Sequence, residues 1–230
     1  MRIGAIASVF AIAAPLQLLF TLFGRRDLIP PVFLRIVSWL CGLRVRVEGR
    51  PCTGTLLMLA NHLSWLDILA LAGAGRSAFV AKGGLAGHPF LKWLCDQNDT
   101  IYVTREKRGT IGRQVEQLRS ALAHRRITVF PEGTTGDGTR LLPFKSALLA
   151  AVEATGMEVT VQPVALVYED AEAIAWGDEP GLANIWAILA RTRPIRLTIR
   201  FLDPLEGDLH HCRKQMTIAA QEAVAKALPL

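Results

Sequence analysis

Leu56-Leu57-Met58-Leu59-Ala60-Asn61-His62-Leu63-Ser64-Trp65-Leu66-Asp67-Ile68-Leu69-Ala70-Leu71 passes from one apolar block to another through a short polar bend. The first block, Leu56 to Ala60, reads as a buried strand, and the second, from Ile68, as a packed helix. Between them, Ser64 with Asp67 three residues later has the form of a capping box, which predicts a helix beginning at Ser64. His62 then lies just outside that helix and Asp67 in its first turn, where the helix dipole favours a carboxylate. On an unbroken helix the two side chains would point about 140° apart. A strand end, a bend and a helix start can turn them toward each other. A carboxylate that accepts from one imidazole nitrogen leaves the other free to take a proton, as in a general base. An isolated H-x4-D is more often a helix cap beside a loop histidine, so the rest of the chain decides its meaning.

Outward from this stretch, strand-like and helix-like segments alternate. Leu43 to Glu48 alternates apolar and polar residues, as a strand with one solvated face does. After the first helix, which the pattern carries to about Ala74, strands are expected at 77–81, 100–103, 127–130 and 159–166. Helices are expected at 90–95, 110–123 and 144–154. This predicts an α/β fold: one layered domain with a mostly parallel central sheet flanked by helices. In such sheets ligands sit beyond the carboxyl ends of the strands, where His62 falls. Pro163, inside the 159–166 segment, predicts that this strand bends or lies at an edge. The acidic run from Glu169 to Glu179 reads as a solvated loop, and residues 185–189 as a short helix. Residues 195–201 alternate strictly and suggest a late, edge-type strand with Arg196 and Arg200 outward. Helical spacing of Met216, Ala220 and Val224 gives a C-terminal amphipathic helix.

The 230 residues suit one domain with a sizeable core and an appendage. The appendage is residues 1–42, the α/β domain 43–230. Ile3 to Phe23 carries no charge, and at 1.5 Å per residue it matches about one bilayer core, with Pro15 and Gln17 permitting a kinked or re-entrant course. Residues 31–43, with Trp39 as an anchor, read as a second helix in the membrane interface. Arg25, Arg26, Arg35, Arg44 and Arg46 follow the first segment and place the domain on the cytoplasmic side. The mean hydropathy of +0.30 agrees with a membrane-associated chain. A net charge of +6 points to an anionic partner. The basic residues are dispersed among apolar segments without a nucleic-acid-binding signature, so nucleic acid is not expected. Cys41, Cys52, Cys95 and Cys212 form no C-x-x-C pair, which excludes a disulfide framework or zinc site. The oligomeric state is left open.

Further polar features fall at other strand ends. Tyr102-Val103-Thr104-Arg105 ends a strand in a guanidinium suited to phosphate or carboxylate. Ile127 through Phe130-Pro131-Glu132-Gly133-Thr134-Thr135-Gly136 is a strand entering a turn whose glycines would let backbone N–H groups approach an anion. Lys145 adds a mobile positive charge at the start of the next helix. Gln162-Pro163-Val164 completes the set. His88, His124 and His210-His211-Cys212 are better explained by turn and helix-end polarity than by a metal. Lys107, Arg108, Arg113 and Arg119 form a basic run, open to lipid headgroups or to plain solvation.

Asn61-His62…Asp67, Arg105, Phe130-Pro131-Glu132-Gly133-Thr134 and Gln162-Pro163-Val164 together resemble the four ordered blocks of the glycerolipid acyltransferases. The closest resemblance is to the 1-acyl-sn-glycerol-3-phosphate (lysophosphatidate) acyltransferases, over roughly residues 40–170. The resemblance implies acyl transfer from acyl-CoA or acyl-ACP to the free hydroxyl of a lysolipid, here giving phosphatidic acid, at the cytoplasmic face of a bacterial inner membrane. It makes His62 the base and Asp67 its partner, with direct attack on the thioester and no acyl-enzyme. The lack of a G-x-S-x-G elbow, and of a cysteine near His62, agrees with this. Acceptor binding falls by resemblance to Asn61, Arg105, Glu132, Gly133 and Thr134. Arg105 and Lys145 would face phosphate, Glu132 would fix Arg105 or accept from a substrate hydroxyl, and Pro163 would shape the acyl pocket. No metal or nucleotide cofactor is implied. Thr104 and Ala147 depart from the family's usual Asp and Gly. This variant also resembles acyltransferases of lyso-ornithine lipid, whose acceptor has no phosphate. An alternative of another class is a non-catalytic membrane adaptor on the same fold.

Overall fold

The computed structural model describes residues 2–82, 89–103, 111–154, 156–177, 179–206 and 212–229. The chain opens with a helical hairpin, α1 (Arg2–Leu22) and α2 (Ile29–Leu40). Then follow β1 (Leu43–Glu48), β2 (Leu56–Ala60), α3 (Leu66–Gly75), β3 (Ser77–Lys82), α4 (Pro89–Gln97) and β4 (Ile101–Val103). α5 (Ile111–His124), β5 (Arg126–Val129), α6 (Ala150–Glu153), β6 (Thr160–Tyr168), α7 (Gly181–Ala190), β7 (Ile195–Phe201) and α8 (Arg213–Ala227) complete it. The strands form one seven-stranded sheet in the order β1-β7-β6-β2-β5-β3-β4. Only the β6–β7 pair is antiparallel.

β2 is central and buried throughout, as its unbroken apolar run requires. Its alternate side chains serve two cores. Leu56, Met58 and Ala60 join α2, α3 and α7 on one face, while Leu57 and Leu59 join α5, α6 and α8 on the other. Met216, Ala220 and Val224 are buried, so the C-terminal helix packs as its spacing predicts.

Several expectations need correction. α3 begins at Leu66, not Ser64. Asp67 supplies one half of the capping box by accepting from Ser64 N–H at 2.9 Å, but the Ser64 hydroxyl reaches only Leu66 N, at 3.5 Å. The 144–154 segment is a 3₁₀ turn, Ser146–Leu149, followed by the short α6. α7 is longer than expected, starting after Pro180. β7 is interior, flanked by β1 and β6, and Arg200 reaches across to Glu48 of β1 at 2.9 Å. β6 is interior too, despite Pro163. The proline is tolerated because the β6–β7 ladder starts only at Val164, and the Pro163 carbonyl is met by Leu202 N–H just past the end of β7. The 169–177 segment is not simply a solvated loop. Ile174 is buried in the core and Trp176 N–H bonds to the Leu63 carbonyl at 2.9 Å, which pins the segment beside the His62 bend.

α1 is long and apolar enough to cross a membrane. Its two ends nevertheless both touch the same α/β body. Arg2 donates to the carbonyls of Cys41 and Ile188, and Gln17 donates to Arg26 O and Gln97 Oε1. Phe10 packs edge-on against Phe33 of α2 and Trp93 of α4. A helix standing across a bilayer would carry its ends to opposite surfaces, whereas α1 lies along the domain.

Candidate active site

Adjacent strands β6, β2 and β5 end on the same side of the sheet, and each brings a polar group there: Tyr168, His62 just past β2, and Glu132 just past β5. The His62–Asp67 pair forms as its spacing suggests, with Nδ1 2.9 Å from Oδ2 of Asp67. The imidazole lies flat on Phe130 at 4.0 Å between ring centroids, and Phe130 is parallel to Phe79 at 5.9 Å. Asp67 is wholly buried while the His62 side chain is 17% exposed.

A buried carboxylate needs donors, and Asp67 is surrounded by them. Oδ2 accepts from Leu63 N–H at 2.6 Å and Ser64 N–H at 2.9 Å besides facing the imidazole. Oδ1 accepts the Tyr168 hydroxyl at 2.6 Å. A carboxylate can only accept, so Nδ1 carries the hydrogen and Nε2 is the nitrogen that can take a proton. Burial, then the Asp67 charge, hold the Tyr168 phenol far above its ordinary ionisation range, so the tyrosine stays a donor. Tyr168 acts on the imidazole only through Asp67. Tyr168→Phe is expected to lower kcat about tenfold with KM nearly unchanged, and to lower the melting temperature, because the buried Asp67 Oδ1 loses its donor at about 1–3 kcal/mol. Steady-state kinetics beside a thermal melt checks this.

Glu132 is 2% exposed. Its two oxygens accept backbone N–H groups, His62 at 2.6 Å and Leu142 at 3.1 Å. It thus clamps the β5 turn to the histidine bend. Burial pushes its carboxyl up to about 7, against the pull of both N–H groups. Folding therefore takes up a proton between the ordinary value of 4.5 and about 7. The contribution is full below the lower value and lost as pH rises through the upper one, on the order of 3 kcal/mol. Glu132→Gln is expected to melt lower at every pH, since an amide oxygen can serve only one of the two N–H groups. It should also flatten the fall in stability between about pH 5 and 8, read from melts across that range.

The remaining site residues inferred from the sequence are sorted by the fold. Asn61 is buried and uses its carboxamide on the backbone of Leu166, accepting at 2.7 Å and donating at 3.0 Å. It extends the β2–β6 ladder by side chain, with one amide N–H not engaged by Leu166. The glycine turn is closed on itself. Gly133, with φ of 72°, donates to Phe130 O, and Gly136 donates to His62 O at 2.8 Å. These N–H groups are spent inside the protein, so the expected anion-binding turn does not form from them. Thr134 is exposed at that turn. Lys145 is exposed and its N–H closes onto Pro131 O at 2.8 Å, at the entry to the 3₁₀ turn. Pro163 lies within β6, away from the residues that line the cleft. Arg105, His88, Lys107, Arg108, His210 and His211 lie outside the described residues.

His62 and Glu132 open on a cleft of about 680 Å³. Sequence reasoning missed two of its residues. Tyr168 could have been suspected from the need of a buried Asp67 for donors. Arg140 sits in a loop without periodicity, and only the Gly136–His62 closure brings it to the cleft. Arg140 is the one basic side chain among the described lining residues, set across from Glu169, Asp170 and Glu172. Asp170 and Glu169 pair with Arg191 and Arg196, at 3.0 and 3.1 Å.

A His–Asp pair at the carboxyl end of a mostly parallel sheet stands beside a glutamate turn and an open cleft, an arrangement able to take a proton from a group bound there. The acyltransferase family matches residues 44–167, and the chain belongs to that family; it is an acyltransferase. It is 32% identical to a lyso-ornithine lipid O-acyltransferase of Rhodobacter capsulatus, over 99% of this chain and 89% of the relative. It is also 34% identical to a 1-acyl-sn-glycerol-3-phosphate acyltransferase of Neisseria gonorrhoeae, over 57% of this chain and 52% of that one. The fold is that of the 1-acyl-sn-glycerophosphate acyltransferase PlsC of Thermotoga maritima. Its TM-score is 0.70, at 21% identity over 98% of this chain and 93% of that one.

Proposed function

We propose that the chain moves a fatty acyl group from acyl-CoA or acyl-ACP to the hydroxyl of a lyso-ornithine lipid, at the cytoplasmic face of a bacterial inner membrane. The observation that carries this reading is the mixed charge lining the cleft among the described residues, where Arg140 stands with Glu172 while Asp170 and Glu169 are paired with Arg191 and Arg196. An amino-acid head group bears both an ammonium and a carboxylate and finds both signs there. Among the described lining residues a phosphomonoester would meet Arg140 as its one guanidinium, beside Glu172. Kinship to lyso-ornithine lipid O-acyltransferases over nearly the whole chain supports the same acceptor.

The acceptor hydroxyl gives its proton to Nε2 of His62 while its oxygen attacks the thioester carbonyl carbon. The tetrahedral intermediate expels the thiolate of CoA or ACP, which takes the proton back from His62. One C–O bond forms and one C–S bond breaks, with no acyl-enzyme. The Asp67 carboxylate faces the imidazole and balances the transient imidazolium.

Lysophosphatidate is the second reading, favoured by the block pattern and by the Neisseria relative. Purified protein offered both acceptors side by side, with each thioester donor, separates the two. At least tenfold higher kcat/KM for lyso-ornithine lipid is expected. A preference for lysophosphatidate, with strong loss in Arg105→Ala or Arg140→Ala, would assign the second reading.

A further inference from the structure

α7 is built inside-out for water. Its sequence, Gly181-Leu182-Ala183-Asn184-Ile185-Trp186-Ala187-Ile188-Leu189-Ala190, contains one polar side chain, and that side chain is buried. Asn184 accepts from Trp65 Nε1 at 3.0 Å and donates to Glu179 Oε1 at 2.6 Å. The outward positions are Leu182, Ala183, Trp186, Ala187 and Ala190, with Leu182 72% and Trp186 60% exposed. A surface helix of a water-soluble domain shows the reverse arrangement, charged side chains out and apolar ones in. α1 shares the inversion, with Gln17 its one buried residue. α2 exposes Val32, Ile36 and Trp39 beside Arg35, while Val37 and Ser38 are buried.

The helices are joined at one point. The Arg2 guanidinium, at the start of α1, bonds to the carbonyl of Cys41 just past α2 and to those of Ile188 and Leu189 in the last turn of α7. The start of α1, the end of α2 and the last turn of α7 are thus held together at one place. Basic side chains border them, Arg35 and Arg44 beside α2 and Arg193 past α7, all exposed, where anionic headgroups would lie. We infer that α7 is a third lipid-embedded element, its Leu182–Trp186 face entering the acyl region of the same leaflet as the hairpin. This rests on the membrane reading above for the hairpin. Asn184 ties α7 to Trp65, the residue before α3, so insertion of α7 would hold the His62 bend at headgroup depth. A lysolipid hydroxyl then needs little displacement from the bilayer to reach Nε2.

The test uses the full chain bound to phosphatidylethanolamine–phosphatidylglycerol vesicles whose acyl chains carry bromine at known depths. The difference in emission between the wild type and Trp186→Phe isolates Trp186. Strong quenching of that difference by bromine near the headgroup end of the chain is expected. An unquenched difference overturns the inference, as does disulfide cross-linking of Leu182→Cys between two copies, which would make this face a dimer contact. Because quenching needs no turnover, it stands apart from the acceptor reading. A second measurement uses Leu182→Gln with Trp186→Gln. At least tenfold lower kcat/KM on acceptor in vesicles is expected, with activity on the same acceptor in mixed detergent micelles within twofold of wild type. Equal activity in both settings would contradict a role in the bilayer.

Discussion

His62→Ala is expected to bind lysolipid and acyl thioester with little change and to lose between about 10² and 10⁴ of kcat, the usual worth of a positioned general base. The loss should fall on kcat and kcat/KM alike, because a proton moves only in the transition state. The fold around the residue should persist. The links that hold this bend, His62 N–H to Glu132 and His62 O from Gly136, are made by backbone atoms and survive the substitution. Phe130 loses the ring stacked on it at 4.0 Å, so a small drop in melting temperature should accompany the loss of rate. Single-turnover thioester consumption, beside a lysolipid-binding isotherm, tests the split. An enzyme retaining more than a tenth of its rate would remove His62 from the chemistry.

Asp67→Asn is the second large effect, about 10²–10³-fold in kcat with the protein still folded. The asparagine oxygen belongs at the Oδ2 position, since only there can it serve Leu63 N–H, Ser64 N–H and the imidazole N–H together. Its amide then faces the Tyr168 hydroxyl, which can reverse from donor to acceptor. Geometry is thus kept, and what disappears is the negative charge that balances the imidazolium. Asp67→Ala should differ in kind, because it leaves buried donors without partners at about 1–3 kcal/mol each and so melts the protein well below wild type. Combining His62→Ala with Asp67→Asn should cost no more than His62→Ala alone, which kinetics on the double variant would reveal.

The dyad was legible because both members lie within one strand-bend-helix unit, where local pattern governs geometry. The same holds for β2, whose unbroken apolar run could only be a buried strand, and for α8, whose spacing marks its inner face. Legibility ended where a residue's role depends on what lies opposite. Glu132 looked like a substrate group, yet its oxygens are taken by His62 and Leu142 N–H groups from other segments. Asn61 stands beside His62 but turns its amide to Leu166. Pro163 suggested a strand that bends or lies at an edge, and the strict alternation of β7 an edge strand. Neighbours from elsewhere in the chain made both strands interior: β1 beside β7, and β7 with β2 beside β6. α1 has the length of a membrane span, and only the docking of Arg2 and Gln17 at its two ends lays it along the domain.

By itself the sequence determined the α/β class, the family, and the histidine and carboxylate of the site, since periodicity and short-range spacing are properties of the local chain. The tertiary structure alone decided that Tyr168 donates to Asp67, that Arg140 faces the cleft, and that α7 turns an uncharged face outward. Those residues lie far from the dyad along the chain. Burial of Asp67 creates a demand for donors, and only the folded sheet, with β6 beside β2, brings the donor that meets it.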